Sequence, residues 1–421
     1  MTDVFPRRTA QEMAARIGSH PSSEVQETAA AIVGDVRARG AAALREHAER
    51  LGDVAAAAPL ILPREALASA LASLKPGDRQ RLERVAERIR VFARGQRAAL
   101  GPFDMTIPGG RAGHLIAPVE RAGCYAPGGR YPLPSSVLMT AITAREAGVS
   151  EVWVASPRPV PITLAAAALA NADGFLAVGG AQAIAALAFG ADPVPRCDAV
   201  VGPGNAYVTT AKQLVAGHVA IDTLAGPSEL VVLADATADA GMVAADLLAQ
   251  AEHDPYAVPV LVSVGGAIAE GVSAELVRQL ETLPTAVIAR AALGNGGAVV
   301  VRDLDEGVAA CDILAPEHLE LHVADAGCLA PRLRHYGALF VGTGAAEVLG
   351  DYGAGPNHVL PTGGAARSAG GLSVLTFLRV RTWLAIDDPA GARGLVEDAA
   401  WLGRLEGLEA HARSAERRLG P

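Results

Sequence analysis

The sequence predicts an α/β protein built on two Rossmann-like, doubly wound parallel-sheet domains with helical N-terminal and C-terminal extensions, and three observations carry that reading. Short apolar runs recur from about His114 onward, and several are apolar at consecutive positions, as strands buried on both faces are. Ala-rich helical runs long enough for parallel crossovers separate them. The chain's 421 residues, 51% hydrophobic and 19% charged, suffice for two such units in series and lie far from disordered composition.

Taken in order, the first hundred residues read as helices. Ser23 with Gln26 three residues on is a capping-box pattern, and Val25, Ala29, Ile32, Val33 and Val36 then form one apolar stripe ending before Gly40. A second helix places Leu82, Val85, Ile89 and Phe92 on one face. The strand runs HLIAPV, EVWVAS, GFLAV, DAVVG, HVAID, ELVVLAD, VPVLVSV, AVVVRD and ALFVG follow, each bounded by Gly, Pro or Asp. From about Gly371 the texture returns to helix, interrupted at Gly403 and Gly407. These shifts divide the chain into an N-terminal arm (1–20), a first α/β domain (21–119 and 231–370), a second Rossmann-like α/β domain (120–230) and a helical C-terminal tail (371–421).

Composition narrows the function. A net charge of −9 argues against a nucleic-acid partner, since phosphate binding needs clustered cations. Lysine occurs only at 75 and 212, neither in an S-x-x-K pattern, which leaves Schiff-base chemistry few candidates. Cys124, Cys197, Cys311 and Cys328 are scattered with no C-x-x-C, so neither a disulfide framework nor a Cys-rich zinc site is expected. The start carries no secretory pattern, and the most apolar stretch, 175–191, is short and broken by Gly179, Gly180 and Gln182. The expectation is a cytoplasmic protein without a membrane partner.

Four constellations carry chemistry. In DAGMVAADLLAQAEHDP, Asp246, Gln250 and His253 stand four and then three residues apart, on one polar stripe of an apolar helix that Pro255 ends. An amide oxygen and an imidazole at such spacing suit one metal ion, although a solvated helix face produces the same pattern. In APEHLELHV, Glu317 and His318 enter a strand as a carboxylate and imidazole able to share acid–base work, while His322 reads as structural. GDYGAGPNHVLPTGG sets Asp351, Asn357 and His358 in a glycine-rich loop. Near the end, Glu406 and His411 address one site only if the helix breaks, and Gly407 between them is the residue suited to break it. No complete G-x-G-x-x-G phosphate grip is present, but Gly202, Gly204 and Asn205 lie at a strand-to-helix junction whose free N–H groups suit a pyrophosphate.

Read together, YAPGGRYPLPSSVLM, VGGAQAIAALAFG, VGPGNAYVTTAK, IDTLAGPSELVVLAD, AQAEHDP, APEHLEL, GDYGAGPNHVLPTGGAARSAGGLSV and EGLEAH resemble the histidinol dehydrogenase family, in order and over nearly the whole chain. The resemblance implies oxidation of L-histidinol via L-histidinaldehyde to L-histidine by a zinc-dependent four-electron reaction with two NAD. It implies that Gln250, His253, Asp351 and His411 bind one Zn²⁺ per subunit, with His411 supplied across a homodimer with shared active sites. It further implies that Ser228, His318 and Glu406 contact substrate alongside the metal ligands, that Tyr125, Gln182 and Asn205 contact NAD, and that Glu317 and His318 form the acid–base pair. The alternatives are a related NAD- and zinc-dependent dehydrogenase of another small primary alcohol such as sulfopropanediol, a zinc hydrolase using Glu317 to activate water, and a scaffold without catalysis.

Overall fold

The computed structural model describes residues 4–17, 22–128 and 131–419. Parts of the expected arm (1–3 and 18–20) and the last two residues of the tail lie outside the described residues, as do 21, 129 and 130. The strands are β1 (Ile61–Leu62), β2 (Phe103–Ile107), β3 (Gly110–Pro118), β4 (Arg121–Tyr125), β5 (Glu151–Ala155), β6 (Gly174–Leu176), β7 (Ala199–Val201), β8 (Ala220–Ile221), β9 (Glu229–Ala234), β10 (Val258–Val264), β11 (Gly297–Val301), β12 (His318–His322), β13 (Ala338–Val341) and β14 (Leu378–Ile386).

They form three sheets. The first runs β1-β6-β5-β4-β7-β8, parallel except for the antiparallel edge pair β1–β6, and the second runs β11-β10-β9-β12-β13, all parallel. In the first sheet the chain order reverses between β4 and β7, and in the second between β9 and β12, the switch points at which crevices open in wound α/β sheets. The continuous apolar runs explain the burial: every residue of β9 is buried, with Leu230, Val232 and Ala234 in one core and Val231 and Leu233 in the other. The expected α/β class with parallel sheets holds.

Three elements differ from expectation. The helix Ser23–Arg39 is capped one residue earlier than the capping-box pattern places it: Ser22 Oγ accepts from the Val25 N–H at 3.4 Å, while Ala29, Ile32, Val33 and Val36 form the buried stripe. That helix and those through residue 98 bury their apolar faces on the first sheet, Ile32 and Val36 beside Leu187 and Val200, and Ile89 beside Val152 and Phe175. The helices of 22–98 therefore pack chiefly on the first sheet, with Val85, Arg88 and Phe92 also meeting the loop at Gly353 and Gly355, because an apolar stripe records that it must be covered and not by which sheet. The tail is not wholly helical: β14 pairs antiparallel with β3, which also pairs with β2, in a third sheet with a largely exposed face. Alternating β-branched, aromatic and basic residues in LRVRTWLAI favour that strand over helix. Helices Arg393–Leu405 and Glu409–Glu416 follow.

At the other end, the Arg8 N–H donates to the Ala298 carbonyl at 3.0 Å, and Ala10, Met13 and Ile17 bury against the core beneath β9 and β12. Among the described residues no helix is long and apolar enough to cross a membrane.

Candidate active site

The amino-terminal edge of the second sheet gathers most of the polar residues that the sequence singles out. Glu229 opens β9, His318 opens β12 opposite Leu230, and helix Ala240–Ala251 ends there, delivering Gln250 from its last turn and His253 just beyond. The short helix Glu347–Asp351 closes the site, its two carboxylates four residues apart and so on one face.

Distances knit these side chains into one cluster. His253 Nε2 lies 3.8 Å from Asp351 Oδ2, and His318 Nε2 lies 3.8 Å from Asp351 Oδ1. The Gln250 amide satisfies both neighbours when its nitrogen donates to Glu347, 3.1 Å from each carboxylate oxygen, and its oxygen accepts from His253 Nδ1 at 3.2 Å. His318 Nδ1 sits 3.1 Å from the Glu229 carbonyl oxygen, which can only accept, so Nδ1 carries the proton. Its Nε2 is buried without a hydrogen-bond partner, a lone pair held ready in the cluster. The Glu229 N–H donates to Glu317 Oε2 at 3.0 Å, and Glu229 Oε1 accepts from the Gly363 N–H at 2.6 Å. His358 Nδ1 donates to the Asp351 carbonyl at 3.0 Å.

Burial sets the electrostatics. It pushes the His318 imidazole down to about 3 and His358 to about 4, lowers His253, raises Glu229 to about 8 and Asp351 to about 7, and holds Glu317 and Glu347 well above the usual carboxylate range. Several crowded carboxyl groups among neutral imidazoles make a site that gains by receiving a cation. Ser228 stands half-buried beside Glu229, and among the described residues its hydroxyl makes no hydrogen bond.

Glu406 and His411 are not brought to this cluster within one chain. Both are exposed, Glu406 at the end of helix Arg393–Leu405 and His411 in the next helix, with the break at Gly407 (φ 77°) between them. Among the described residues no hydrogen bond or ion pair joins their side chains to it.

The other three expected contacts lie on the first sheet, at the carboxyl edge where β4, β6 and β7 end. Tyr125 ends β4, and its buried hydroxyl accepts from the Gly180 N–H at 3.1 Å. Gln182 is buried, donates to Asp53 Oδ2 at 2.9 Å, and leaves its Oε1 without a partner. Asn205 is exposed and caps helix Ala206–Val215, accepting from the Tyr207 and Val208 N–H groups. Gly202, at φ 125°, lets that loop approach Tyr125: a Cβ there would stand 2.0 Å from the Tyr125 carbonyl oxygen. The loop is pinned below by a buried Lys212–Asp222 pair. Lys212 Nζ donates to the Gly202 and Thr223 carbonyls at 3.0 and 2.7 Å, and Asp222 accepts from the Gly202 N–H at 2.7 Å.

Sequence reading does not single out Glu229, Glu347, Asp53 or the Lys212–Asp222 pair. The one available signal is a carboxylate opening the otherwise apolar run ELVVLA.

The chain is similar over nearly its whole length to proteins of one family. The family model described as histidinol dehydrogenase matches residues 16–419. Histidinol dehydrogenase of Thermus thermophilus is 49% identical over 358 residues, covering 85% of this chain and 86% of that protein. The Pseudomonas aeruginosa protein of the same name is 46% identical over 396 residues, 92% of this chain and 89% of its own. The crystal structure of histidinol dehydrogenase from Elizabethkingia anophelis superimposes with a TM-score of 0.92 at 29% identity, covering 100% of this chain and 99% of that one. With a family model spanning nearly the full length and curated relatives at this identity and coverage, the chain belongs to the histidinol dehydrogenase family.

Proposed function

We propose that the chain oxidises L-histidinol through L-histidinaldehyde to L-histidine, consuming two NAD and using one Zn²⁺. The observation that carries this reading is the cluster of buried Gln250, solvent-facing His253 and partly buried Asp351 beside the unpartnered Nε2 of His318. The donor set fits zinc: ligand atoms of His253, Glu347 and Asp351 lie within 4.8 Å of one another, mixing imidazole and carboxylate as borderline ions prefer. Gln250, His253 and Asp351 would hold the ion, with His411 from a second copy completing the set. When bound, Zn²⁺ supplies a fixed Lewis-acidic grip on the substrate's amino and imidazole nitrogens, and NAD supplies the hydride acceptor.

The chain's own residues then carry the protons. His318 Nε2, neutral because burial disfavours its cation, receives the hydroxyl proton as hydride leaves the carbinol carbon. Glu317 takes a proton from the water that adds to the aldehyde while His318 returns its proton to the carbonyl oxygen, and the freed His318 Nε2 then accepts the hydrate's hydroxyl proton at the second hydride transfer. Burial raises the Glu317 carboxyl well above the usual carboxylate range, and positive charge brought into the site would favour the carboxylate form that accepts this proton. Alcohol, water and two NAD⁺ thus become carboxylate, two NADH and released protons. A thiol route to the acid is disfavoured, because Cys124 is fully buried and pushed up to about 12 by that burial. Ser228 and Glu406 complete the substrate contacts, and Tyr125, Gln182 and Asn205 hold NAD at the carboxyl edge of the first sheet.

The tail supports the shared site. Trp401 is 63% exposed, Leu405 69% and Leu384 66%, an apolar surface around helix Arg393–Leu405 and β14 that a second copy would cover. The test is the yield of NADH from limiting histidinol: two per molecule supports the reading, and one or none overturns it. A panel of other small primary alcohols in the same assay separates a sister activity.

A further inference from the structure

β12 carries a second polar device. Its alternation turns Leu319 and Leu321 into an apolar core and sets His318, Glu320 and His322 on the opposite face, where the register opposite Leu230, Val232 and Ala234 would lead one to expect apolar residues. Helix Ala240–Ala251 lies against that face, and its stripe matches the strand's: Gln250 meets the active-site end and Asp246, one turn earlier, meets the far end. His318 and His322 stand about 13 Å apart along the strand.

At the far end, His322 Nε2 lies 3.5 Å from Asp246 Oδ2 and 3.5 Å from Glu320 Oε2. His322 and Glu320 are fully buried, and none of those three atoms has a hydrogen-bond partner. Of the eight buried side-chain polar atoms without a partner among the described residues, four belong to this cluster, the fourth being His322 Nδ1. The rest of the fold satisfies nearly all its buried polar groups, so the concentration marks a missing ligand.

We propose that Asp246, Glu320 and His322 form a second, buried binding site for a divalent transition-metal ion behind the catalytic cluster, independent of the reading of that cluster. Asp246 and Glu320 face each other closely enough to share a proton when no ion is bound, but the separations from His322 favour a cation. They exceed the roughly 2.7–3.2 Å of hydrogen bonds, whereas ligand atoms about 2.1 Å from a tetrahedral ion stand about 3.4 Å apart. Two carboxylates in an apolar core repel each other and lose hydration, and a divalent charge removes both penalties. Burial first, and the Glu320 charge second, already push Asp246 up to about 7. One imidazole and two carboxylates suit Zn²⁺ or Mn²⁺, with a water in the remaining position, and Asp246, whose side chain is 14% exposed, marks the entry side. The two sites are joined: Glu320 Oε1 accepts from the Glu347 N–H at 2.6 Å, so an ion holding Glu320 also braces the turn that presents Glu347 and Asp351.

The test strips the full-length protein with a chelator, reloads it with Zn²⁺ alone, removes excess ion by gel filtration and counts bound zinc by mass spectrometry. Wild type should hold one equivalent more than His322→Gln and one more than Asp246→Asn, with folding of each variant checked by circular dichroism. A Gln250→Ala/His253→Ala variant separates the two sites, since it should lose its own ion and keep the one at His322. If a folded His322→Gln or Asp246→Asn variant binds as much zinc as wild type, the proposal is overturned, whatever becomes of the catalytic ion.

Discussion

Replacing His318 with Asn tests the base assignment most sharply. Asn keeps an N–H in the place of Nδ1, so the bond to the Glu229 carbonyl, now 3.1 Å, survives in kind, while the unpartnered Nε2 disappears. General-base catalysis contributes about 10²–10⁴ in rate, so kcat should fall by that factor, about 2.7–5.5 kcal/mol of lost transition-state stabilisation. The imidazole is buried, and removing its volume costs roughly 1–3 kcal/mol of folding free energy. The assay is NADH formation at saturating histidinol and NAD, on protein whose zinc content and urea midpoint are measured beside wild type. The KM for NAD should hold, because Tyr125, Gln182 and Asn205, the residues proposed to hold the dinucleotide, lie on the other sheet. A folded, metal-loaded variant with kcat within about threefold of wild type would refute the assignment.

Further outcomes follow from the same geometry. Glu229 is pushed up from its ordinary 4.5 to about 8, so the folded chain binds a proton that the unfolded chain releases. Its contribution to stability is complete below about pH 4.5 and lost as pH rises through about 8. The urea midpoint of metal-free protein should therefore fall across that window, and fall less in Glu229→Gln; equal slopes would contradict this. Lys212→Met should cost about 3–5 kcal/mol in urea unfolding by leaving the Asp222 carboxylate buried and unpaired. Adding Asp222→Asn should recover part of that loss, and a Lys212→Met variant of wild-type stability would show that the pair does not hold the loop. Mixing inactive His318→Asn with inactive His411→Asn under conditions that exchange subunits should restore activity through mixed dimers; no recovery despite exchange would show that the site is not shared.

Most of the fold was legible because apolar runs such as ELVVLAD and VPVLVSV read the same in one dimension as in three. The helix stripe of Asp246, Gln250 and His253 was legible too, since its spacing fixes which side chains share a face whatever the face meets. Packing partners were not: the stripe of Ile32, Val33 and Val36 says nothing about which sheet it covers. β14 was hidden because its exposed strand carries arginines among apolar residues and pairs with a segment more than 250 residues away. Glu347 and Glu229 gave little sign, being single carboxylates whose company is assembled only by the sheet, and His322 read as an ordinary strand residue until Asp246 was placed opposite it.

The position of a metal ion is the central claim to test. Crystals of the zinc-loaded protein, with anomalous diffraction collected at the zinc edge, should give a peak within coordination distance of His253 and Asp351, with His411 of a second copy reaching the same ion. No peak beside His253 and Asp351, or a His411 that faces solvent far from the metal of every copy, would contradict it.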